Sequence, residues 1–417
     1  MVTFSRPGFA ASEYGQKEWK SAGYPIFLEE PAAAFLQMRL RRLGAISGTV
    51  LDEEEIGMPD HEVAVYRDKR PPELIGRVKT DDRGVYRMGG LMPGSYLART
   101  VGKHYDEGDY LPTFHRESQE IADAQGAQVM LDEQVNNINL KPKAGRLVTI
   151  EGSVLGGFGD PLITVVSDTG RVEQRGHAFR FEHMPPGQYE IYVQLEGESL
   201  GGYADLAAIK DLNRVSIQLV EASVSFQFSG ASAREVQVLT RKKDLAGTGP
   251  IIRYPLGTQS TVLAPGRWEF MLSVPPNLYP STVQGPRYRN NPRERPDGWI
   301  EMLITRPTSI RYFLSNKSAS ITGGVTTSGR EPVAGAPVFL ETWDPVERKR
   351  VVDLRETRTD LRGQYRFTGL APGTYRILST FEYRSPDSES MDAAGAKEIR
   401  VVEAQSPQLD LDLYVIR

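Results

Sequence analysis

The sequence predicts an all-β protein: tandem immunoglobulin-like or prealbumin-like β-sandwich domains set end to end. Three observations carry this prediction. A Pro-Gly-x-aromatic punctuation recurs four times along the chain. Runs that alternate apolar and polar residues follow each copy, the period-two signature of a strand with one face buried and one wet. The 417 residues include 40 glycines and 28 prolines, a share above the ordinary that calls for many turns.

Composition narrows the function classes. Hydrophobic residues make up 39% and charged residues 25%, the balance of a folded chain, which excludes wholesale disorder. The net charge of −4 argues against a basic nucleic-acid binder. No apolar run reaches the roughly 18 residues of a membrane-spanning helix. The chain has no cysteine, so disulfides, thiolate metal sites and cysteine nucleophiles are excluded.

The predicted elements run as follows. Residues 1–43 read as the C-terminal half of an incomplete sandwich, because no GTV-type strand precedes them. Leu36, Met38 and Leu40 alternate with Gln37, Arg39 and Arg41, which predicts a closing strand. Sequence upstream, carrying an export signal, is therefore expected; the first residues themselves lack the basic start and apolar core of a signal peptide.

Residues 44–143 form the first full unit. ISGTV at 46–50 opens it, and residues 80–96 read TDDRGVYRMGGLMPGSY. Asp81 and Gly84 take positions i and i+3 of a type I turn. Pro93 and Gly94 fit the centre of a type II turn, proline presetting φ and glycine supplying φ > 0. Tyr96 enters the strand beyond. Residues 144–221 repeat the plan with IEGSV at 150–154, then Pro186, Gly187 and Tyr189, and close on Val215, Ile217 and Leu219. Residues 222–316 are a divergent copy with Pro265, Gly266 and Trp268. Residues 317–417 open with ITGGV at 321–325, and residues 359–375 read TDLRGQYRFTGLAPGTY, with Asp360, Gly363, Pro372, Gly373 and Tyr375 in the matching places. They close on Leu409, Leu411, Leu413 and Val415. Tyr96, Tyr189, Trp268 and Tyr375 are expected to be core residues sealing a hairpin. Short linkers make the array a semi-rigid rod.

The pattern G-x-V, then P-x-x-x-A/V-x-V, then TD-x-x-G-x-Y, then PG-x-Y resembles the carboxypeptidase regulatory-like domain, one of the prealbumin-like and Cna B-type sandwiches of the carbohydrate-binding-like fold. The resemblance covers 44–143 and 317–417 closely and the two middle units less so. It implies antiparallel seven-strand Greek-key sandwiches in a bacterial cell-envelope or secreted protein, located in the periplasm, at the cell surface or outside the cell. It implies a non-enzymatic scaffold or binding role, with polysaccharide or another envelope protein as partner. No catalytic residue, cofactor or metal is expected, nor any nucleic acid. Cna B-type domains often carry a Lys–Asn isopeptide; ISGTV, IEGSV and ITGGV contain no lysine, so none is expected here.

Several motifs compete with that reading. Gly197-x-Ser199-x-Gly201 matches a nucleophile elbow, which needs a strand-to-helix turn and a histidine after the serine; all five histidines precede Ser199. His104-x-x-Glu107 matches a pair of zinc ligands but lies in a Gly/Asp-rich loop, with His177 and His183 in another predicted domain. Asp52, Glu53, Glu54 and Glu55 read as a solvated hairpin tip. Two long loops suit ligand binding, through Tyr105, Tyr110 and Phe114 in one and Tyr288 and Trp299 in the other, since aromatic faces beside polar groups stack on sugars. Arg287, Arg289, Arg293 and Arg295 also lie in the second loop, interrupted by Glu294 and Asp297. The alternatives are a hydrolase assembled across domains from His104, Glu107, His115 or Ser199, and an accessory module of an outer-membrane import system.

Overall fold

The computed structural model describes the chain except residues 1, 29–32, 70–71, 169, 197–198, 231, 276, 286–297, 346–348, 352–353 and 417. Four pairs of sheets follow one another along it. The second pair shows the plan. Val148–Leu155 lies between Ala178–Met184 and Leu212–Gln218 in one sheet. In the facing sheet, Leu162–Ser167 and Gly187–Gln194 are central, flanked by Gly170–Arg175 and Leu200–Ala208. Seven successive strands reverse direction at each turn, so the first and seventh run the same way. They pair in parallel, Ser153 opposite Ser216 and Val154 opposite Ile217. The same closure recurs where Gln134–Val135 joins Gly44–Thr49, where Ser223–Ser229 joins Thr308–Ser315 and where Ala319–Thr326 joins Leu411–Asp412. The wholly antiparallel layout expected from the family is thus corrected at the closing strand, because an odd number of strands forces a parallel join.

Each pair encloses its own core. Ile46, Val65, Tyr86 and Tyr96 meet in the first, Ile150, Ile163, Phe179 and Tyr189 in the second. Val224, Phe226, Trp268 and Phe270 fill the third, and Ile321, Val338, Tyr365 and Tyr375 the fourth.

The corners explain why the repeated residues are needed. Gly84 donates its N–H to the Asp81 carbonyl at 3.0 Å, and the Asp81 carboxylate accepts from the N–H groups of Arg83 and Val85. Asp360 does the same for Gly363, Arg362 and Gln364. Gly84 and Gly363 hold φ of 77° and 75°, which a residue with a Cβ adopts only at a cost. Each Pro-Gly corner is tied by its aromatic residue. The Tyr96 hydroxyl donates to the Met92 carbonyl at 2.6 Å, the Trp268 Nε1 to Ala264 at 2.8 Å and the Tyr375 hydroxyl to Ala371 at 2.7 Å; Tyr189 bonds Pro185 in the same way. An apolar ring in the core with a polar tip on the corner is the use that Tyr and Trp allow. The type II geometry expected at these corners is absent: φ is 151° at Gly94 and 144° at Gly266, and Gly187 and Gly373 lie outside the positive region. The aromatic tie, rather than a left-handed glycine, makes the bend.

The expectation of one wet face per sheet also needs correction. Glu190, Glu269 and Arg376 each follow the corner aromatic and so point away from the core, yet all three are buried. They are charges paired under a neighbour. The Arg267 guanidinium reaches across from the third pair to Glu190 of the second, Nε to Oε1 at 2.5 Å and Nη2 to Oε2 at 2.9 Å. Glu269 pairs with Arg241 and Lys243. Arg376 pairs with Glu341 and stacks on Trp343. In the fourth pair a second apolar cluster, Phe339, Leu378, Tyr383, Met391 and Ile416, covers the outer face.

The described residues before 44 contain only a two-residue ladder, Thr3–Phe4 with Ser12–Glu13, and a bridge between Phe9 and Arg42. Residues 33–40, where Leu36, Met38 and Leu40 predict a strand, form none; the alternation is there but no neighbouring strand offers a ladder. This segment docks instead on the fourth pair. Lys17 pairs with Glu382 at 3.0 Å, Arg384 with Glu13 at 3.3 Å and Lys20 with Glu389 at 3.0 Å, while the Ala22 N–H donates to the Glu382 carbonyl. Trp19 and Lys20 share a cavity of 550 Å³ with Arg67 and Asp68 of the first pair and Asp387 of the fourth. The pairs follow end to end, but the open rod is corrected: the two ends of the array meet.

Candidate functional site

The junction of the first two sheet pairs gathers most of the chemistry-bearing side chains. After Gly94–Thr100 the chain makes a hairpin, Lys103–Tyr105 with Gly108–Leu111. The linker strand Lys143–Ala144 pairs with it, Leu111 opposite Lys143 and Tyr110 opposite Ala144, before the chain enters the second pair. Hairpin and linker are therefore one small sheet wedged between two larger ones. Gly102 is required by close approach, since a Cβ there would lie 2.8 Å from Pro185 and 3.3 Å from Leu147. Arg99 pairs with Asp168 across the same boundary at 3.1 Å. Beside it opens a cavity of 470 Å³ whose lining includes Gly102, Pro112, His183, Pro185 and Arg171.

His61 lies beneath the hairpin with no exposure. Its Nε2 donates to the Val101 carbonyl at 3.2 Å, and its Nδ1 accepts from the Tyr105 hydroxyl at 2.9 Å. Burial, with help from nearby Lys103, pushes its pKa down to about 4, because an imidazolium is costly where water cannot reach it. Burial also pushes the Tyr105 hydroxyl up to about 12. His61 is thus a neutral structural histidine that orients Tyr105.

At the outer end of the hairpin, His104, Asp109 and His183 converge. One potential ligand atom from each lies within 4.8 Å of the other two. His104 Nδ1 is 2.7 Å from Asp109 Oδ1, and the His104 and His183 rings stack with centroids 4.4 Å apart. Asp109 Oδ2 accepts from the Leu147 N–H at 2.9 Å, which anchors the carboxylate to the linker. The His104 contact, then the Leu147 N–H, hold the Asp109 carboxyl below the usual range. His183 comes from the second sheet pair and has φ of 56°. It stands six residues before Tyr189, where the first and fourth copies have Gly90 and Gly369, each with positive φ. The strand ladder shifts register beside all three, so each is the bulge residue of its copy. Two copies relieve the left-handed backbone with glycine, whereas the second holds a histidine in it.

The residues singled out from the sequence are placed as follows. Tyr105 and Tyr110 are half-buried, edge to face at 5.7 Å, and pack on the first core. Phe114 is 2% exposed, within a cluster with Tyr66 and Leu97, and Arg99 covers its ring. Trp299 is 5% exposed with the Arg241 guanidinium 4.2 Å above it. Tyr288 and the arginines at 287–295 lie outside the described residues. Ser199 is exposed between the strands Gly187–Gln194 and Leu200–Ala208, with no helix following, so the elbow geometry is not formed. His104 contacts Asp109 of its own hairpin rather than pairing with Glu107. His115 is bound to the Asn139 carbonyl, and His177 to those of Val154 and Gly159. The Asp52 carboxylate caps its own turn, accepting from the N–H groups of Glu54 and Ile56. In the sequence His183 falls in a different unit from His104 and Asp109. The available signal was its place in the repeat, where other copies have glycine.

Comparison with known proteins bears on the fold. Residues 320–414 match the family model of the carboxypeptidase regulatory-like domain. No curated protein matches the chain. Among solved structures the chain is similar to a streptococcal ancillary pilin, at 8% identity over 65% of this chain and 100% of that one, with a TM-score of 0.26. It is similar to the minor pilin of Streptococcus agalactiae at 9% identity, over 47% and 97% of the two chains, with a TM-score of 0.24. It is also similar to the major pilin subunit of Bacillus cereus at 10% identity, over 89% and 99%, with a TM-score of 0.19. The stretch that matches the family model holds the Asp360–Gly363 turn, the Pro372–Gly373 corner and the carbonyl-bound Tyr375.

Proposed function

We propose that the chain is a non-enzymatic extracytoplasmic scaffold of regulatory-like modules that divide near residues 44, 144, 222 and 317. The supporting observation is where the buried charges sit. Arg267 and Glu190 join the second and third pairs, with Tyr203 and the Leu245 N–H completing the carboxylate's bonds. Such a pair has few alternatives once desolvated, because separating its members leaves an unpaired charge. It therefore holds one orientation between neighbours, which is what a spacer requires. Arg171 with Asp244 reinforces the same boundary, and Tyr279 with Glu403 ties the third pair to the fourth. Polysaccharide or another envelope protein is the partner in this reading. Tyr105 and Tyr110 are the sugar-contacting candidates in the described residues, Phe114 and Trp299 being enclosed by their own modules; Tyr288 is kept as a candidate on its sequence alone.

The test is a set of spin-label distances across the 221–222 boundary in the full chain. A narrow distribution that broadens in Arg267→Met supports the scaffold. A broad distribution in the unaltered protein refutes it. A glycan array with a Tyr110→Ala control examines the partner, and absence of binding to every glycan removes the polysaccharide branch.

A further inference from the structure

We propose that His104, Asp109 and His183 form a binding site for a first-row divalent transition metal that clamps the first sheet pair to the second. The inference does not depend on the scaffold reading. Two imidazoles and a carboxylate are a donor set for zinc and its neighbours, whereas calcium and magnesium prefer all-oxygen cages. The three side chains come from separate strands, and two of them from different sheet pairs, so an ion held by all three crosslinks the junction.

The geometry needs only small movements. Zinc bonds of about 2.0–2.1 Å at a tetrahedral angle put donor atoms about 3.3 Å apart. His104 Nδ1 and Asp109 Oδ1 now stand 2.7 Å apart, and the three candidate donors lie within 4.8 Å of one another. Imidazole lone pairs lie in the ring plane, so capture of an ion swings the rings out of their stack. His104 and His183 are both exposed and have room to do so. The ion then takes the place of the proton between His104 Nδ1 and Asp109 Oδ1; as that proton leaves Nδ1, Nε2 takes one from solvent, so His104 binds as a neutral imidazole. The fourth position stays open to water.

Two features argue for a ligand rather than a chance contact. A hydrogen-bonded His–Asp pair has no need of a second imidazole stacked upon it. And His183 keeps a left-handed backbone at a bulge that glycine fills in two other copies, where a Cβ on Gly90 would meet nothing within 4 Å. Space does not demand histidine there. Strained non-glycine residues persist where a site needs the side chain. Neighbouring charges leave the site accessible to a cation: Glu182 and Glu151 are engaged by Arg180, and Lys103 by Asp60. Asp109 remains anchored through its second oxygen by the Leu147 N–H, so ion capture draws on the linker directly.

The experiment uses the full chain, stripped with a chelator and titrated calorimetrically with zinc chloride at pH 7.5. One equivalent should bind more tightly than about 10 µM. Cobalt(II) in its place should give visible absorption bands of a four-coordinate site. His104→Ala and His183→Gly should each weaken zinc at least about tenfold, while His177→Ala leaves it unchanged. His183→Gly also removes the backbone strain, so it separates lost ligation from lost folding. Hydrogen exchange at Leu147 should slow on adding zinc to the unaltered protein. No saturable uptake at about 100 µM zinc, or an affinity in His104→Ala or His183→Gly equal to that of the unaltered protein, overturns the site. Zinc uptake with unchanged exchange at Leu147 overturns the clamp.

Discussion

His61 offers a quantitative test of how the first junction is built. Its imidazole has no exposure, and its two nitrogens are committed, one to the Val101 carbonyl and one to the Tyr105 hydroxyl. The folded pKa is about 4, against an ordinary value of 6.5. A histidine depressed in the fold binds its proton more readily when unfolded. Stability is therefore full above about pH 6.5 and falls as the pH drops toward 4. The gap of about 2.5 units corresponds to about 3 kcal/mol in total, and about 2 kcal/mol of that is already lost at pH 5. The assay has two parts. Proton NMR of the histidine ring signals, assigned with His61→Gln, should show one imidazole titrating near 4. Native-state hydrogen exchange in Glu62–Arg67 should show protection falling between pH 7 and 5 by about 2 kcal/mol after correction for intrinsic rates. In His61→Leu the baseline is lower, because Tyr105 and Val101 lose a partner, but this pH slope should flatten. A ring titrating near 6.5, or an equal slope in His61→Leu, would refute the argument that burial keeps this group neutral.

Further expectations follow from the corners and junctions. Glu190→Gln leaves the buried Arg267 guanidinium facing a neutral amide and should destabilise the second and third pairs by about 3–5 kcal/mol in urea unfolding; Glu190→Met with Arg267→Leu should recover only part of that loss, because the Tyr203 hydroxyl and the Leu245 N–H lose their acceptor. Gly84→Ala places a Cβ 2.7 Å from the Val50 carbonyl oxygen and the Met58 nitrogen, and should cost clearly more than the about 1–2 kcal/mol of a left-handed alanine alone. Gly90→Ala has similar φ but open space, so it should cost that backbone term only, as thermal unfolding of the two variants would show. Tyr375→Phe keeps the ring in the core and removes the bond to Ala371, for an expected loss of about 1 kcal/mol by denaturant titration.

The sequence disclosed the parts of this fold that depend on local chemistry. Asp81 with Gly84, and Asp360 with Gly363, could be assigned to turns because side-chain acceptors and glycine φ act within four residues. Tyr96 and Tyr375 could be assigned to cores because their strands alternate. What escaped depended on distant partners. Leu36, Met38 and Leu40 alternate as well, but a strand needs a neighbour, and none pairs with residues 33–40. Glu190, Glu269 and Arg376 read as solvent-facing because their burial comes from charges supplied by other strands or modules. Propensity predicts a type II φ for the corner glycines because it carries no information on the Tyr and Trp ties to carbonyls four residues earlier. At the candidate site, His104 and Asp109 share a hairpin, but the approach of His183 is set by how two modules dock.

The parallel join of first and last strands also determines how each module answers a pulling force. Tension along the chain drags these two neighbours in opposite directions, so their ladder is loaded in shear and its rungs share the load. The ladder is long in the middle of the protein, with five paired positions between Val148–Leu155 and Leu212–Gln218 and six between Ser223–Ser229 and Thr308–Ser315. In the outer modules the regular pairs are fewer, two at Gln134–Val135 and two at Leu411–Asp412, but the same join runs on through bridges from Val50 to Leu140 and from Thr322 to Gln408. A stretched molecule therefore meets a sheared seam in every module, since in the outer two the Ile138 and Leu140 N–H groups bond the Ser47 and Thr49 carbonyls and the Leu409 and Leu413 N–H groups bond those of Thr322 and Thr326.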